Sequence, residues 1–525
     1  MTSDAFHVYD TTMRDGAQQE GLNLSVQDKL HVARHLDDLG VGFIEGGWPG
    51  SNPKDTEFFA LAAKELELRN ATLAAFGATR RAGLRAADDP LVAALRESGA
   101  PVVTLVAKSH DRHVELALRT TLEENLAMVR DTVEHLRAEG QRVFVDCEHF
   151  FDGYVANRAY ALEVVRTAAE AGADVVVLCD TNGGMLPHQV EEVVADTLSV
   201  GARLGIHAHN DTGCAVANSM AAVRAGATHL QGCLNGYGER TGNADLVTSV
   251  ANLELKLGMQ VLPAGALTEA TRIAHAVSEI TNYPPSARQP YTGVSSFAHK
   301  AGLHASAIRV DPDLYQHIDP ALVGNDMRLL VSEMAGRATI ELKGRELGYD
   351  VAGDAERLGR ITERVKAMEQ QGYTFEAADA SFELLLAEEM EGARPSYFDV
   401  ESWRVLAESS RGTEATVKLR AAGQRLAVIG EGNGPVNALD HALRQAIEQL
   451  YPDVARFHLI DFRVRILDQG HGTDAVTRVL IETSDGQDAW VTVGVGANII
   501  EASWEALVDA LTYGLRRHGV PVGTA

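Results

Sequence analysis

The segment Gly205-Ile206-His207-Ala208-His209-Asn210-Asp211 begins as an apolar run and ends in side chains that can bind a metal ion. On a β-strand, alternate side chains share a face, so His207 and His209 would lie together with Ala208 opposite. Two imidazoles on one face form half of a divalent-metal site, or they are two hydrogen-bonded histidines of a protein core. The two hypotheses are distinguished by whether other parts of the chain supply further metal ligands.

Short strand-like runs alternate with helical patterns from the first residues to about residue 235. Stretches such as Val26–Leu39 and Leu122–Leu136 are apolar at every third or fourth position, which predicts amphipathic helices. This alternation predicts parallel strands, and eight units within roughly 250 residues favour a closed (β/α)8 TIM barrel over an open sheet. The predicted strands are Phe6–Asp10, Phe43–Gly47, Thr72–Gly77, Val102–Ala107, Val143–Phe150, Val175–Asp180, Gly205–His209 and His229–Leu234.

Polar residues follow almost every one of these predicted strands. In a (β/α)8 barrel, catalytic residues lie at the C-terminal ends of the strands and in the loops that follow. The repeated pattern therefore predicts an active site at that face of the barrel. The polar clusters begin at Asp10, Glu45, Gly77, Lys108, Asp146, Asp180, His207 and Asn235.

Beyond the barrel, the sequence is first helical and then changes composition near residue 395. In the last part, two sets of strand-like runs are each followed by a glycine-rich turn and a helix, Val436–Leu450 and Ile499–Arg517. This pattern predicts an α+β domain with an internal duplication. A phosphate loop is the alternative for Gly430–Pro435, but no Gly-Lys-Ser/Thr follows the glycines. The predicted domains are a catalytic barrel (1–270), helical linker subdomains (271–395) and a C-terminal domain (396–525).

Composition excludes several classes of partner. The formal net charge is −26, from 47 Lys and Arg against 73 Asp and Glu, which argues against nucleic acid or an anionic membrane as a partner. No run approaches the ~20 apolar residues of a membrane span. The cysteines lie in or just after apolar runs and form no C-x-x-C motif, which predicts buried thiols in a reduced, cytoplasmic protein. They are Cys147, Cys179, Cys214 and Cys233.

A mixed set of oxygen and nitrogen ligands is available at the strand ends. Asp15, His207 and His209, with Asn243 as a fourth candidate, suit Zn²⁺, Mn²⁺ or Mg²⁺ and leave coordination positions open. A metal ion with an open position is a Lewis acid that polarises a carbonyl group.

Three further residues extend this set toward a site for a 2-oxo acid. Arg14 can pair with a carboxylate through two hydrogen bonds, although an arginine at a strand end also forms simple rim salt bridges. Glu148 can bind or move protons, and Thr181 offers a hydroxyl. Together these residues predict that a 2-oxo acid is held through its keto oxygen and carboxylate and is attacked by a carbanion or enolate.

Three motifs resemble those of the family that joins acetyl-CoA to 2-oxo acids by Claisen condensation, which includes 2-isopropylmalate, homocitrate and citramalate synthases. They are Arg14-Asp15-Gly16, the segment His207–Gly213 and the segment Gly236–Asn243. The resemblance extends over the barrel, the helical linker and the C-terminal domain. One departure is that the family commonly has Glu where this chain has Ala17, so no role for that Glu is transferred.

The resemblance implies a role for each site residue. The four ligand candidates named above would hold the metal, while Arg14 and Thr181 would contact the 2-oxo acid and Glu148 would orient or protonate it. His304 would enter the active site of a neighbouring subunit and enolise acetyl-CoA, and Tyr315 would be donated with it. The family therefore implies at least a homodimer, with acetyl-CoA as co-substrate and no nucleotide cofactor.

The identity of the 2-oxo acid is implied by finer similarities. The loops Glu45–Asp55 and Val145–Gly153 resemble a citramalate-forming subgroup that uses pyruvate in isoleucine biosynthesis; the alternative acceptor is 2-oxoisovalerate, as in 2-isopropylmalate synthesis. The C-terminal domain resembles a regulatory and dimerisation domain, which implies a branched-chain amino acid as effector, with isoleucine favoured. Pyruvate is small, so we expect large side chains to close its binding pocket. The candidate side chains are those of Trp48, Phe150, Phe151 and Tyr237.

Two other classes of function compete with a synthase. A lyase on the same barrel would share the metal ligands, but such lyases generally end after the barrel, and the Gly-Cys-Pro-Tyr-like loop of the thioester lyases is absent here. A non-enzymatic sensor or scaffold is the other alternative, and the intact ligand set argues against it.

Overall fold

The computed structural model describes residues 4–351, 353–409, 412–467 and 475–521. They form two compact units. The first runs through Phe297 and includes Ile318–Asp326; the second comprises Ala298–His317 and the residues from Met327 onward.

In the first unit, eight parallel strands close into a barrel in chain order, which confirms the predicted (β/α)8 fold. The barrel closes where the first strand pairs with the eighth, with Tyr9 opposite Gln231. Helices cover the outside, so the strands are buried on both faces and rich in Val and Leu. The strands are β1 (His7–Asp10), β2 (Phe43–Gly47), β3 (Thr72–Ala78), β4 (Val102–Lys108), β5 (Arg142–Glu148), β6 (Val175–Asp180), β7 (Leu204–Ala208) and β8 (His229–Gly232).

Local sequence determines where the barrel helices begin. The first starts after Ser25, whose side chain forms a capping box with Asp28, and Gly40 ends it in the left-handed conformation. The helices of this unit are α1 (Val26–Leu39), α2 (Pro53–Glu65), α3 (Pro90–Glu97), α4 (Asp111–His113), α5 (Leu122–Ala138), α6 (Phe150–Ala156), α7 (Arg158–Glu170), α8 (Pro187–Thr197), α9 (Ala215–Ala225), α10 (Leu246–Leu255) and α11 (Ala270–Thr281).

The barrel interior changes from apolar to polar toward the C-terminal ends of the strands. Phe43 and Phe144 pack edge to face at 5.2 Å in the apolar part. Because side chains alternate along a strand, the residues two positions later also point inward. These are Glu45 on β2 and Asp146 on β5, and both are buried. The barrel interior is therefore polar near the C-terminal ends of the strands.

The fifth strand is shorter than its apolar sequence predicts. It ends at Glu148, and Phe150 already begins α6, because His149 takes a left-handed backbone conformation with φ 56°. A non-glycine residue seldom adopts this conformation, so composition alone could not have indicated the break.

The second unit contains the helices from α12 (Gly302–Ile308) onward, which are only part of the helical region predicted for residues 271–395, and two repeats of strands followed by a helix. Two three-stranded antiparallel sheets, β11–β12–β13 and β14–β15–β16, are each followed by a helix. No helix in the described part of the chain is both long and apolar enough to span a membrane. The elements are β9 (Ala298–His299), α12 (Gly302–Ile308), β10 (Arg328–Leu329), α13 (Arg337–Glu346), α14 (Ala355–Gln370), α15 (Asp379–Glu391), β11 (Asp399–Glu408), β12 (Gly412–Ala421), β13 (Gln424–Gly432), α16 (Pro435–Ile447), β14 (His458–Ile466), β15 (Thr477–Ser484), β16 (Ala489–Gly496) and α17 (Ile499–Arg517).

Candidate metal centre

Asp15, His207 and His209 come together at the mouth of the barrel. The Oδ2 atom of Asp15 lies 3.3 Å from His207 Nε2 and 3.6 Å from His209 Nε2, and the two Nε2 atoms are 3.3 Å apart. All three side chains are buried. Nitrogen and oxygen ligands that share one ion at bond lengths of ~2.0–2.2 Å lie roughly 3–3.6 Å from one another. The three distances therefore suit a single divalent ion.

Asn243, the fourth ligand candidate, lies next to His209. It pairs with His209 in an isolated β-bridge. Its Nδ2 donates to the carbonyl oxygen of Tyr237 at 3.0 Å, and its Oδ1 is buried without a hydrogen-bond partner among the described residues. Asp15 Oδ2 is likewise buried and without a hydrogen bond. Buried oxygens are seldom left unpaired, and a cation would satisfy both. The donor set fits a divalent metal.

Burial and neighbouring charges shift the pKa values of Asp15, His207 and His209. Burial would raise the pKa of Asp15, but the Arg14 guanidinium and the adjacent His207 and His209 rings outweigh it and hold the pKa of the carboxyl well below its usual range. Burial lowers the pKa of His209 to about 4, so that ring is neutral near pH 7 and keeps a lone pair. For His207, burial is outweighed by the contact with Asp15, and its pKa is raised.

Arg14 is held rigidly next to the cluster. Its Nε donates to Glu45 Oε2 at 2.5 Å, its Nη1 donates to Asp15 Oδ1 at 2.9 Å, and its guanidinium carbon lies 3.7 Å from the centre of the Phe76 ring. Glu45 is fully buried and also accepts the Tyr9 hydroxyl at 2.8 Å. These bonds use two of the five N–H groups of the guanidinium, which leaves donors for a substrate carboxylate.

Glu148 and Thr181 lie at the ends of β5 and β6. Glu148 forms an ion pair with Lys108, which ends β4. The Thr181 hydroxyl oxygen accepts the backbone N–H of His149 at 2.8 Å, so its own O–H can still donate. Arg240 donates to the Thr181 carbonyl at 2.8 Å and fixes this loop to the loop after β8.

The two remaining predicted site residues, His304 and Tyr315, belong to the second unit. Their rings stack at 4.1 Å between centroids with an interplanar angle of 29°. Large apolar side chains nearby in sequence are unusually exposed: Leu303 is 74% exposed, Val310 78% and Leu314 59%. The structure thus brings His304 and Tyr315 to each other, within an exposed apolar segment.

The four aromatic residues predicted to close the pocket for the 2-oxo acid lie in different parts of the barrel unit. Phe150 and Phe151 lie at the start of α6 and are buried in the hydrophobic core. The hydroxyl of Tyr237, which is also buried, lies 3.3 Å from the Ser278 hydroxyl of α11. Trp48 is half-buried and packs edge-on against Phe76 at 5.3 Å, beside Arg14.

Sequence reasoning gave no role to several polar residues below the cluster. Glu45, Asp146 and Gln231 all point into the barrel and are bonded to the site residues or to one another. Their signal in the sequence is a polar residue at an inward position of an otherwise apolar strand. For Gln231, this position is two residues after the inward-pointing His229.

The HMGL-like family model matches residues 5–277, which contain the whole barrel and all four ligand candidates. The chain belongs to the HMGL-like family. The remainder matches two further models: residues 291–373 match the homocitrate synthase post-HMGL domain-like model, and residues 376–515 match the LeuA allosteric (dimerisation) domain.

Relatives of this HMGL-like chain match over nearly the full length. An (R)-citramalate synthase of Streptomyces coelicolor is 68% identical, with 98% of each chain covered. An (R)-citramalate synthase of Aquifex aeolicus is 47% identical, with the same coverage of both chains. A probable 2-isopropylmalate synthase of Methanopyrus kandleri is 32% identical, covering 98% of this chain and 99% of its own.

Proposed function

We propose that the protein condenses acetyl-CoA with pyruvate and hydrolyses the resulting thioester, giving (R)-citramalate and CoA for isoleucine biosynthesis. The observation that carries the proposal is the buried ligand cluster beside the fixed guanidinium of Arg14. A metal ion next to an arginine is the arrangement that a 2-oxo acid requires, with keto oxygen and carboxylate recognised together. Four relatives named (R)-citramalate synthase, at 44–68% identity, support the choice of pyruvate.

The metal would be held by Asp15, His207, His209 and Asn243, and when bound it would polarise the keto carbonyl of the acceptor. Arg14 binds the carboxylate of the acceptor through its unused N–H groups. The Thr181 hydroxyl donates to the same carboxylate, and Glu148 orients the acceptor or gives a proton to its keto oxygen. The new carbon–carbon bond joins the acetyl methyl carbon to C2 of pyruvate, and water then releases CoA as its thiol.

We assign removal of the acetyl methyl proton to His304, with Tyr315 beside it, acting on the barrel of a neighbouring subunit. Three observations support this. The His304 ring is supported by stacking on Tyr315, the neighbouring Leu303, Val310 and Leu314 are exposed as expected for a surface that meets another copy, and a dimerisation domain follows in the chain. A homodimer or higher oligomer would therefore be the active form.

Acceptor size is the feature that separates the two closest activities. Phe76 lies against Arg14, and Trp48 packs against Phe76, so this aromatic pair restricts the space beside the carboxylate site. 2-Oxoisovalerate carries two methyl groups more than pyruvate, and each methylene-sized change is worth ~1–3 kcal/mol in such a pocket. In a CoA-release assay with both acceptors, kcat/KM should favour pyruvate by at least about tenfold. A preference for 2-oxoisovalerate would assign the protein to 2-isopropylmalate synthesis instead.

For the C-terminal domain, residues 396–525, we propose feedback control by a branched-chain amino acid, with isoleucine as effector. The match to an allosteric domain and the two strand–helix repeats support this. The barrel (1–270) would be the catalytic domain, and residues 271–395 would link the two. Inhibition by isoleucine at concentrations where leucine and valine have no effect is the expected result; an unchanged rate with isoleucine would contradict it.

A further inference from the structure

His207 differs from His209 in what its second ring nitrogen contacts. The Nδ1 atom of His207 lies 2.8 Å from Oε1 of Gln231, the residue directly opposite it on β8. The Nδ1 atom of His209 is buried without a hydrogen-bond partner in the described part of the chain. The His207 ring is therefore held by the Gln231 side chain on the side away from the ligand cluster, and the His209 ring has no such contact among the described residues.

The amide of Gln231 is itself fixed from the opposite wall of the barrel. Its Nε2 donates to Oδ1 of Asp146 on β5 at 2.9 Å. Gln231 is fully buried and Asp146 is 4% exposed, so water does not compete for these bonds. An amide has one donor end and one acceptor end, and here the donor end bonds to Oδ1 of Asp146. Asp146 therefore holds the Nε2 end of the amide and turns the Oε1 end toward His207.

The structure assigns Gln231 as the positioning residue that sets the tautomer of His207, with Asp146 fixing the orientation of the Gln231 amide. Because Oε1 accepts only, Nδ1 of His207 must carry the proton, and Nε2 presents its lone pair to Asp15 and His209. The opposite tautomer would direct an N–H into the ligand cluster. This inference deepens the proposed metal-dependent function and rests on it.

The chain Asp146–Gln231–His207 can be tested by exchanging its donors and acceptors. Gln231→Leu keeps most of the volume but removes both hydrogen bonds. Gln231→Glu keeps the acceptor for Nδ1 but places two carboxylates together. Combining it with Asp146→Asn restores a complete chain, because the Glu accepts from the Asn amide and from Nδ1–H of His207. Thr104→Val is the matched control: Thr104 is equally buried and contacts Tyr9, not Gln231.

Two measurements report on the variants. Titration of metal-free protein with Mn²⁺ gives the affinity, for which loss of such a supporting contact typically costs ~10–100-fold. We expect Gln231→Leu to lose affinity by this factor, Gln231→Glu/Asp146→Asn to recover most of it, and Thr104→Val to match the native chain. ¹⁵N NMR of histidine-labelled, metal-free protein at alkaline pH identifies the protonated nitrogen of the neutral His207 ring, which should be Nδ1 in the native chain and in the double variant.

Unchanged Mn²⁺ affinity in a folded Gln231→Leu protein would overturn the inference, as would an Nε2–H tautomer in the native chain. Loss of affinity that the double variant does not recover would assign Gln231 a packing role only. If Gln231→Leu does not fold, the NMR measurement on the native chain still decides. Failure of the proposed function is separable, because it would leave the tautomer as expected while no citramalate forms.

Discussion

The contact between Arg14 and Glu45 provides the sharpest mutational test of the acceptor site. Glu45 is fully buried and accepts Arg14 Nε at 2.5 Å, and Glu45→Gln keeps its shape while removing its charge. A hydrogen bond between charged groups contributes ~1.5–3 kcal/mol, and 1.4 kcal/mol corresponds to about tenfold. Because the guanidinium would no longer be held in place for the acceptor carboxylate, kcat/KM for pyruvate should fall ~10–100-fold.

The assay is CoA release with pyruvate varied at saturating acetyl-CoA, followed by the reverse titration. KM for acetyl-CoA should change less than twofold, since Glu45 is proposed to act through the acceptor site alone. Asp89→Asn is the matched control: Asp89 is also buried and also pairs with an arginine, Arg81, but caps helix α3 away from the ligand cluster. It should lower the melting temperature and leave kcat/KM unchanged. Native-like pyruvate kinetics in folded Glu45→Gln would refute the role given to Arg14.

Three further predictions concern the metal and the oligomer. Removing the metal with a chelator should abolish condensation and lower the melting temperature, and adding Mn²⁺ or Zn²⁺ should restore both; activity that survives complete removal would contradict the metal assignment. Gly238 has φ 141°, and a Cβ there would lie 2.2 Å from Asn243 Nδ2, so Gly238→Ala should weaken Mn²⁺ binding. Gly213→Ala is the control, because Gly213 also has a positive φ of 73° but no atom near its Cβ position, and Mn²⁺ binding should be unchanged. Mixing and reassembling the inactive variants Asp15→Asn and His304→Ala should restore about a quarter of native activity, because half of the dimers are mixed and each has one intact site; no recovery would place His304 in its own subunit's site.

The residues predicted most directly from sequence are those whose position follows from strand periodicity. His207 and His209 share a face because they are two residues apart, and the structure places their Nε2 atoms 3.3 Å from each other. Asp15 joins them because β1 and β7 end at the same face of the barrel. The alternation of strands and helices in the sequence therefore predicts most of the barrel fold. The two-residue periodicity of the strands predicts that the side chains at the centre of the candidate site lie together.

What could not be predicted depends on contacts between distant strands. Gln231 and Asp146 meet across the barrel interior, 85 positions apart in sequence, and no local pattern specifies such a pair. Phe150 has the apolar character of a strand residue, but the left-handed backbone of His149 ends the strand first and sends Phe150 into the core. A contact between distant strands decided the first case, and the backbone conformation of one residue decided the second.

The most direct test of the central claim follows the carbon atoms. Acetyl-CoA labelled with ¹³C in the methyl group is incubated with pyruvate, Mn²⁺ and the full-length protein, and the products are identified by NMR and by chromatography that separates enantiomers. The proposed reaction predicts (R)-citramalate with the label in its methylene carbon, formed in equal amount to the CoA released. Labelled acetate with no citramalate would show thioester hydrolysis without condensation and would contradict the proposed function.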